Sequence, residues 1–401
     1  MRVAALIAGL LCCLSVLIDA FQTIILPRRP VGRLRITRLF YLATWIPWAA
    51  MARHTRNPKT REQLYSIFGP GSLLLLLMVW ALLLLTGFAL IFFAMGTPFV
   101  DSMAAPSHLS HLRTDLYVSG TTLFTLGLGD VFPRTLGARA LVICESATGL
   151  GLVALVIGYV PVLYGAFSRR EVSVALLDAR AGSPPTSTEL LRRHSFAGGQ
   201  DALVILLIEW ERWSAEILES HISYPLLCYY RSQHDNQSWL SAMTAMLDTC
   251  ALLISVVPGI ASRQAQLTFA MARHALVDLG HVFHLEKHEA AWRTSGGPNR
   301  LPPDNFDRVC DVMSEAGLRL CGDPEAPARL HALRALYEPH AQALADYLCM
   351  TLPGWVPEPR AKDQWKLVEA VRSQAASVFK GTDILISDQS EAVRLHAEEH
   401  S

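Results

Sequence analysis

The stretch that decides the fold reads DLYVSGTTLFTLGLGDVFP and covers residues 115–133. It is apolar enough to enter a membrane, and glycine at Gly127 and Gly129 alternates with leucine. Glycine adopts positive φ readily, so this alternation lets successive carbonyl groups point to one side. Non-helical backbone survives at membrane depth only where it is buried in protein or lines a watery cavity. We predict a short re-entrant helix over 112–124, followed at 125–130 by carbonyls that replace the hydration shell of a cation.

Two long apolar runs flank this stretch. The run 72–95 carries no charge, and the run 136–167 is interrupted only by Arg139 and Glu145. A helix needs about 20 apolar residues to cross a membrane. The sequence therefore predicts a membrane domain over 71–167, with an outer helix at 72–95 and an inner helix at 136–167.

The N-terminal run, residues 1–26, is long enough to span if Asp19 lies near the inner interface. Its alternative is a cleaved signal peptide, which Arg2 ahead of the apolar run favours and the poor cleavage site around Ala20 disfavours. We expect a transmembrane helix here.

The net charge of zero divides into two opposite halves. Residues 1–167 carry 13 basic and 6 acidic residues, and residues 168–401 carry 22 and 29. Nine of the basic residues lie in 27–70, which the positive-inside rule places in the cytoplasm. The acidic half then also lies in the cytoplasm, beneath a plasma (inner) membrane, and nothing in the charge points to a nucleic-acid partner.

The segment 27–70 also contains an apolar patch, residues 39–52, which is too short to span. It predicts an interfacial helix. The arginines of the segment do not recur at every third position of a spanning helix, so a voltage sensor is not expected.

The hexapeptide TLGLGD resembles the potassium-channel filter signature TVGYGD, and it is most similar to the second filter of two-pore-domain channels. The resemblance extends over about residues 70–167: outer helix, pore helix, filter and an inner helix. The alternative is an ordinary extracellular turn. The resemblance implies that backbone carbonyls and one hydroxyl form the ion sites and that a carboxylate caps the outer mouth; these residues are Thr125, Leu126, Gly127, Leu128, Gly129 and Asp130.

Further residues are predicted to support the filter and the gate. Leu128 stands where the family has tyrosine, which leaves Tyr117 as the aromatic neighbour. Glu145, a carboxylate inside a span, needs a polar partner, and we expect Thr121 or Thr122, with an outer-interface position as the alternative. A gating hinge is predicted in the inner helix, where a simple exit kink is the alternative for its proline; its residues are Gly149, Gly151 and Pro161. One filter copy per chain implies a homotetramer, or a heterotetramer.

The half 168–401 predicts an all-α helical domain. It lacks the glycine-rich nucleotide-binding fingerprint that follows a strand. Its apolar periodicity predicts helices at 201–222, 236–256, 259–292, 304–320, 326–350 and 361–380.

One helix of this half is predicted to carry a polar stripe with the spacing of a metal site. Its residues are His274, Asp278, His281, His284 and His288. Neutral imidazoles with a carboxylate bind divalent ions, and clustered histidines sense pH. A solvated stripe without a ligand is the alternative.

These patterns together predict an all-α membrane protein with a tetrameric potassium-channel-like pore domain and a cytoplasmic helical bundle. It would conduct potassium passively, without a cofactor and without enzyme activity, under an unknown cytoplasmic regulator. The alternative is a non-conducting membrane sensor or scaffold whose helical domain binds a metal ion or a protein. The eight cysteines lack CxxC spacing and are expected to be reduced.

Overall fold

A computed structural model describes residues 1–26, 35–101, 111–195, 198–233, 237–257, 259, 261–295 and 297–357. The chain divides into two compact units. Unit 1 comprises Met1–Ser168 and Ser220–Arg231, and unit 2 comprises the remainder. The predicted division was 1–26, 27–70, 71–167 and 168–401; in the structure the first three segments lie in one unit, and residues 220–231 group with them.

The described residues of unit 1 form five α-helices, a short 3₁₀ helix at Pro225–Tyr229 and a two-stranded pair. The helices are α1 (Arg2–Ala20, extended by a π-helical turn at Phe21–Ile25), α2 (Ile36–Arg53), α3 (Pro58–Ala94), α4 (His111–Leu123) and α5 (Leu136–Ala181), whose last turns belong to unit 2. Strands β1 (Phe99–Asp101) and β2 (Val131–Pro133) pair antiparallel. Arg2–Ile25, Pro58–Ala94 and Leu136–Ala181 are long and apolar enough to cross a membrane.

Two of these helices are longer than the apolar runs that predicted them. α3 begins at Pro58 rather than at residue 72, because Asn57 caps its first turn by accepting from the Lys59 amide at 3.0 Å. α5 continues to Ala181 rather than ending at residue 167, since residues 168–181 contain no glycine or proline. Hydropathy therefore located the membrane segment of each helix but not its ends.

Small residues let α1 pack closely on α3. A Cβ atom on Gly9 would lie 2.6 Å from the Gly87 carbonyl oxygen, and one on Gly87 would lie 2.6 Å from the Cys13 sulfur. Close approach of small residues is how helices associate where lipid removes the hydrophobic driving force. This packing favours a membrane helix over a cleaved signal peptide for the N-terminal run.

A buried carboxylate joins three helices of unit 1. Asp19 is 3% exposed and accepts from the Thr37 amide at 3.0 Å, the Thr37 hydroxyl at 2.6 Å and Trp80 Nε1 at 3.0 Å. Arg35 Nε lies 3.5 Å from its other oxygen. The polar residue that weakens the hydropathy of α1 thus attaches that helix to α2 and α3.

Replacing Asp19 is expected to loosen α1. Removing one member of a buried ion pair costs about 3–5 kcal/mol, so the Asp19→Ala variant should unfold at a lower temperature than the wild type in detergent. The Ser15→Ala variant is the control, because Ser15 is exposed and its hydroxyl bonds to its own helix. Equal unfolding temperatures for all three proteins would contradict the role of Asp19.

Unit 2 is helical. Its helices are α6 (Ser187–Arg193), α7 (Gly199–Ser223, whose last turn belongs to unit 1), α8 (Trp239–Ser255), α9 (Ser262–Val282), α10 (Glu286–Ser295), α11 (Pro303–Glu315), α12 (Ala326–Ala335) and α13 (Glu338–Leu348). α8 lies at the core, with almost every side chain buried. Its buried Asp248 pairs with Arg300 at 2.5 Å and accepts from the Tyr337 hydroxyl.

Two predicted helices of this unit are each divided. The run 259–292 ends at Val282 and restarts at Glu286, because His284 takes a positive φ of 55° that a right-handed helix does not allow. The run 326–350 breaks after Ala335 and restarts at Glu338, with Pro339 in the first turn of the new helix. The predicted helix at 361–380 lies outside the described residues.

Candidate functional site

The re-entrant stretch forms a helix followed by an extended return. α4 ends at Leu123, one residue before the predicted end. The Leu126 amide donates to the Thr121 carbonyl at 2.8 Å, and the Thr125 amide donates to the Thr122 carbonyl at 3.0 Å. The last carbonyls of α4 thus accept hydrogen bonds from the first amides of the loop. The carbonyls of the loop itself take no part in these bonds.

The backbone of the loop alternates between the two hands. Thr125 has φ of 56°, Gly127 of 56° and Gly129 of 75°, while Leu126 and Leu128 between them keep negative φ. Alternation of this kind turns successive carbonyl groups toward one side of the chain. Glycine takes positive φ without strain, and Thr125 adopts it despite its branched side chain.

The loop is also open within a single chain. Leu126 is 61% exposed and Leu128 is 63% exposed. A Cβ atom on Gly127 or Gly129 would meet nothing within 4 Å. The segment therefore has space around it that the described part of this chain does not fill.

The outer end of the loop is held at two places. The Tyr117 hydroxyl donates to Asp130 Oδ2 at 2.7 Å, and this bond lowers the pKa of the Asp130 carboxyl. Beyond Asp130 the chain enters β2, where Val131 pairs with Asp101 of β1. Tyr117, predicted as the aromatic neighbour of Leu128, is thus a hydrogen-bond donor to the carboxylate of Asp130.

Comparison with known proteins identifies this segment. Residues 75–163 match a family model described as ion channel. They form a potassium-channel-like pore domain. The chain is accordingly an all-α membrane protein with a channel-like domain, which points to a transport role rather than an enzymatic one.

Two relatives from bacilli are also similar. The uncharacterized membrane protein YdjJ of Bacillus subtilis (strain 168) is 25% identical over 339 residues, which cover 81% of this chain and 94% of that protein. Protein LctB of Bacillus caldotenax is 38% identical over 88 residues, 20% of this chain and 64% of that protein. No solved structure matches the chain at a significant level.

A buried carboxyl braces the pore domain behind the loop. Glu145 of α5 is fully buried, and its Oε1 lies 2.5 Å from the Ser119 hydroxyl, which is also 2.8 Å from the Leu85 carbonyl. The expectation of Thr121 or Thr122 as its partner was wrong. The Thr121 hydroxyl bonds to Val118 of its own helix, and Ser119 is the hydroxyl that faces α5.

The inner-helix glycines differ in their surroundings. A Cβ atom on Gly149 would lie 2.0 Å from the Leu123 carbonyl oxygen, whereas one on Gly151 would meet nothing within 4 Å. Gly149 therefore allows α5 to touch the end of α4, directly before the loop. Pro161 lies within the uninterrupted helix, and the hinge role of all three residues stays a prediction.

An aromatic contact attaches residues that follow α7 to α2 and to the first part of α3. The Tyr229 ring stacks on Tyr41 at 5.3 Å and 10°, and it lies 5.0 Å from Trp45 and 5.4 Å from Phe68. We call residues Tyr224–Arg231 the docking segment. The sequence patterns did not reveal it, because its isolated aromatic residues have no periodicity.

The docking segment touches the inner helix as well. Tyr224 lies 5.5 Å from Tyr159, and Tyr230 lies 5.6 Å from Phe167, both of α5. A Cβ atom on Gly69 of α3 would lie 2.8 Å from the Tyr230 ring. Within unit 1, the segment thus contacts both long helices of the pore domain.

The predicted histidine stripe does not form one cluster. His274 and His281 lie 3.6 Å and 4.0 Å from Asp278 on α9, but the helix ends at Val282 before His284 and His288. No group of three or more potential ligands in the described part of the chain is arranged to hold a metal ion. The prediction assumed one continuous helix. The left-handed backbone of His284 interrupts that helix, so the five side chains do not share one face.

Gly149→Ala is expected to disrupt the pore domain, because the new Cβ would overlap the Leu123 carbonyl and displace the start of the loop. The matched control is Gly151→Ala, whose Cβ has free space and which favours the helix by about 0.5–1 kcal/mol. Thermal unfolding of both purified variants checks this. Retention of wild-type stability by Gly149→Ala would contradict the close contact.

Proposed function

We propose that the chain is a potassium channel, with an ion pathway lined by the carbonyls of Thr125, Leu126, Gly127 and Leu128. The alternating φ of residues 125–129 is the observation that carries this proposal, because it directs consecutive carbonyl groups to one side. A row of such dipoles substitutes for the water around a monovalent cation. The Thr125 hydroxyl adds the innermost ligand, and Asp130 places a negative charge at the outer mouth.

The assembly that fits this pathway is a homotetramer. One strand of carbonyls cannot surround an ion, and the chain carries a single copy of the motif. The exposure of α5 supports several copies. In the most apolar stretch of α5, 11% of the stretch is buried within one chain, whereas in that of α3 the buried share is 39%. The surrounding lipid is the other partner, with the domain after α5 on the cytoplasmic side.

The docking segment is the coupler that we propose between the cytoplasmic domain and the pore. It follows α7 directly and leads toward α8, so movement of those helices pulls on it through the chain. Its rings contact α5 near Pro161 and α3 near Gly69. A stimulus received by the cytoplasmic domain then changes the position of the inner helix α5 relative to the outer helix α3, with no voltage sensor involved.

Ion flux tests the proposed activity. Purified protein in liposomes with a potassium gradient should release potassium, and barium should block the release. Gly127→Asp should abolish flux by placing a carboxylate in the carbonyl row. The control is Gly322→Asp, since Gly322 lies outside the pore domain and a Cβ atom there would meet nothing within 4 Å in the described part of the chain.

Folded, assembled wild-type protein that carries no flux at any pH or ligand condition would overturn the channel proposal. It would favour a non-conducting sensor instead. Flux that does not distinguish potassium from sodium would restrict the proposal to a cation channel.

The coupling role has its own matched pair on α3. In Gly69→Ala the new Cβ must displace the Tyr230 ring, whereas in Gly71→Ala the nearest atom is 3.9 Å away. Single-channel recording should show a changed open probability for Gly69→Ala alone, with the permeability ratio of potassium to sodium unchanged. An unchanged open probability would contradict coupling through the docking segment.

A further inference from the structure

Helix α10 of unit 2 is attached to its neighbours mainly through a charged side chain. Of the side chains of α10 that the structure describes, only Glu289 is buried, and Trp292 is half-buried. A surface helix ordinarily buries an apolar face instead. Glu289 Oε1 lies 2.9 Å from Nδ1 of His340 on α13, and both residues are buried. The attachment of α10 therefore depends on a titratable pair.

The second ring nitrogen of His340 decides where the ring carries its proton. His340 Nε2 lies 3.4 Å from a guanidinium nitrogen of Arg293, also on α10. A guanidinium group only donates hydrogen bonds, so Nε2 accepts, and the single proton of the neutral ring is on Nδ1, beside Glu289. The neutral ring thus matches both residues of α10. A second proton, placed on Nε2, removes the acceptor and brings two positive groups together.

The surroundings of His340 oppose that second proton. The pKa of His340 is lowered from its ordinary value, first because burial disfavours the charged ring and further because Arg293 and Arg273 of α9 lie nearby. Glu289 acts in the opposite direction but does not outweigh them. Helices α8 and α12 also contact α13. Their charged groups form ion pairs of their own: Asp248 with Arg300, and Arg334 with Glu338.

The connection before α10 provides a hinge. Residues 283–285 join α9 to α10, and His284 among them has a left-handed backbone with φ of 55°. The Glu289 carboxylate reaches back over Gly280 of α9, where a Cβ atom would lie 2.6 Å from Oε1. A helix with few buried apolar contacts opens at low cost, so the contact with His340 decides whether α10 stays attached.

We propose that α10 is an acid-released helix, which detaches from α13 when His340 takes up a second proton. In the detached state the imidazole faces water, where its pKa is about 6.5, and in the attached state it binds the proton only at lower pH. The attachment is therefore fully present above about pH 6.5 and weakens as the pH falls below that value. The contact lies within unit 2 and does not depend on the proposed channel.

Hydrogen–deuterium exchange of the full chain in detergent tests the release, because it reports the opening of each helix separately. After correction for the chemical exchange rate, opening of residues 286–295 should rise by up to about tenfold between about pH 7.5 and about pH 5.5, the limit for one proton bound only in the open state. In His340→Gln the rise should disappear, since an amide stays uncharged and still offers a donor to Glu289 and an acceptor to Arg293. His331→Gln, at an exposed histidine of α12, is the matched control and should keep the rise.

A second variant covers the case in which His340→Gln does not fold. Arg293 is exposed, and Arg293→Gln removes a positive charge that faces the protonated ring, so its rise should be smaller than that of the wild type. No rise in the wild type, or an equal rise in His340→Gln, overturns the proposal. A rise shared equally by the core helix α8 also overturns it, because that is general acid unfolding. Ion flux is not part of the readout, so a failed release leaves the channel proposal intact.

Discussion

A cation that leaves water must exchange its hydration shell for other oxygens, and the pore domain depends on this constraint. In the proposed function, the loop meets this requirement through backbone geometry, since positive φ at Thr125, Gly127 and Gly129 alternates with negative φ at the two leucines. The side chains of Leu126 and Leu128 are exposed within one chain. The same constraint is the reason for the proposed tetramer, because one chain provides one row of oxygens where an ion needs a ring.

The rest of unit 1 serves to hold that loop. Gly149 lets α5 contact the carbonyl that ends α4. The Ser119–Glu145 contact joins the same two helices about one helical turn earlier along α4. The Thr97 hydroxyl donates to buried Asp115 at 2.9 Å and ties α4 to the chain after α3. These are short-range contacts of small or polar groups. They fix positions that apolar packing alone would leave adjustable.

The sequence predicted the elements of the membrane domain well, because hydropathy and glycine alternation act over neighbouring residues. Long-range partners were less accessible. Glu145 required a hydroxyl, but the choice between Ser119 and the nearby threonines depends on how α4 is rotated toward α5. The docking segment depends on a return of the chain to the membrane helices after α7, which no local pattern records. In residues 168–401, the apolar periodicity continued through His284, although the helix did not.

The central claim is that residues 125–129 of four copies form one ring of carbonyls around potassium. The most direct measurement is a density map of the assembled protein, purified in potassium and resolved well enough to place backbone oxygens. We predict four such segments around a common axis, with their carbonyls directed inward at a column of ion density. Segments held apart, or an axis without ion density between the carbonyls, would contradict the claim.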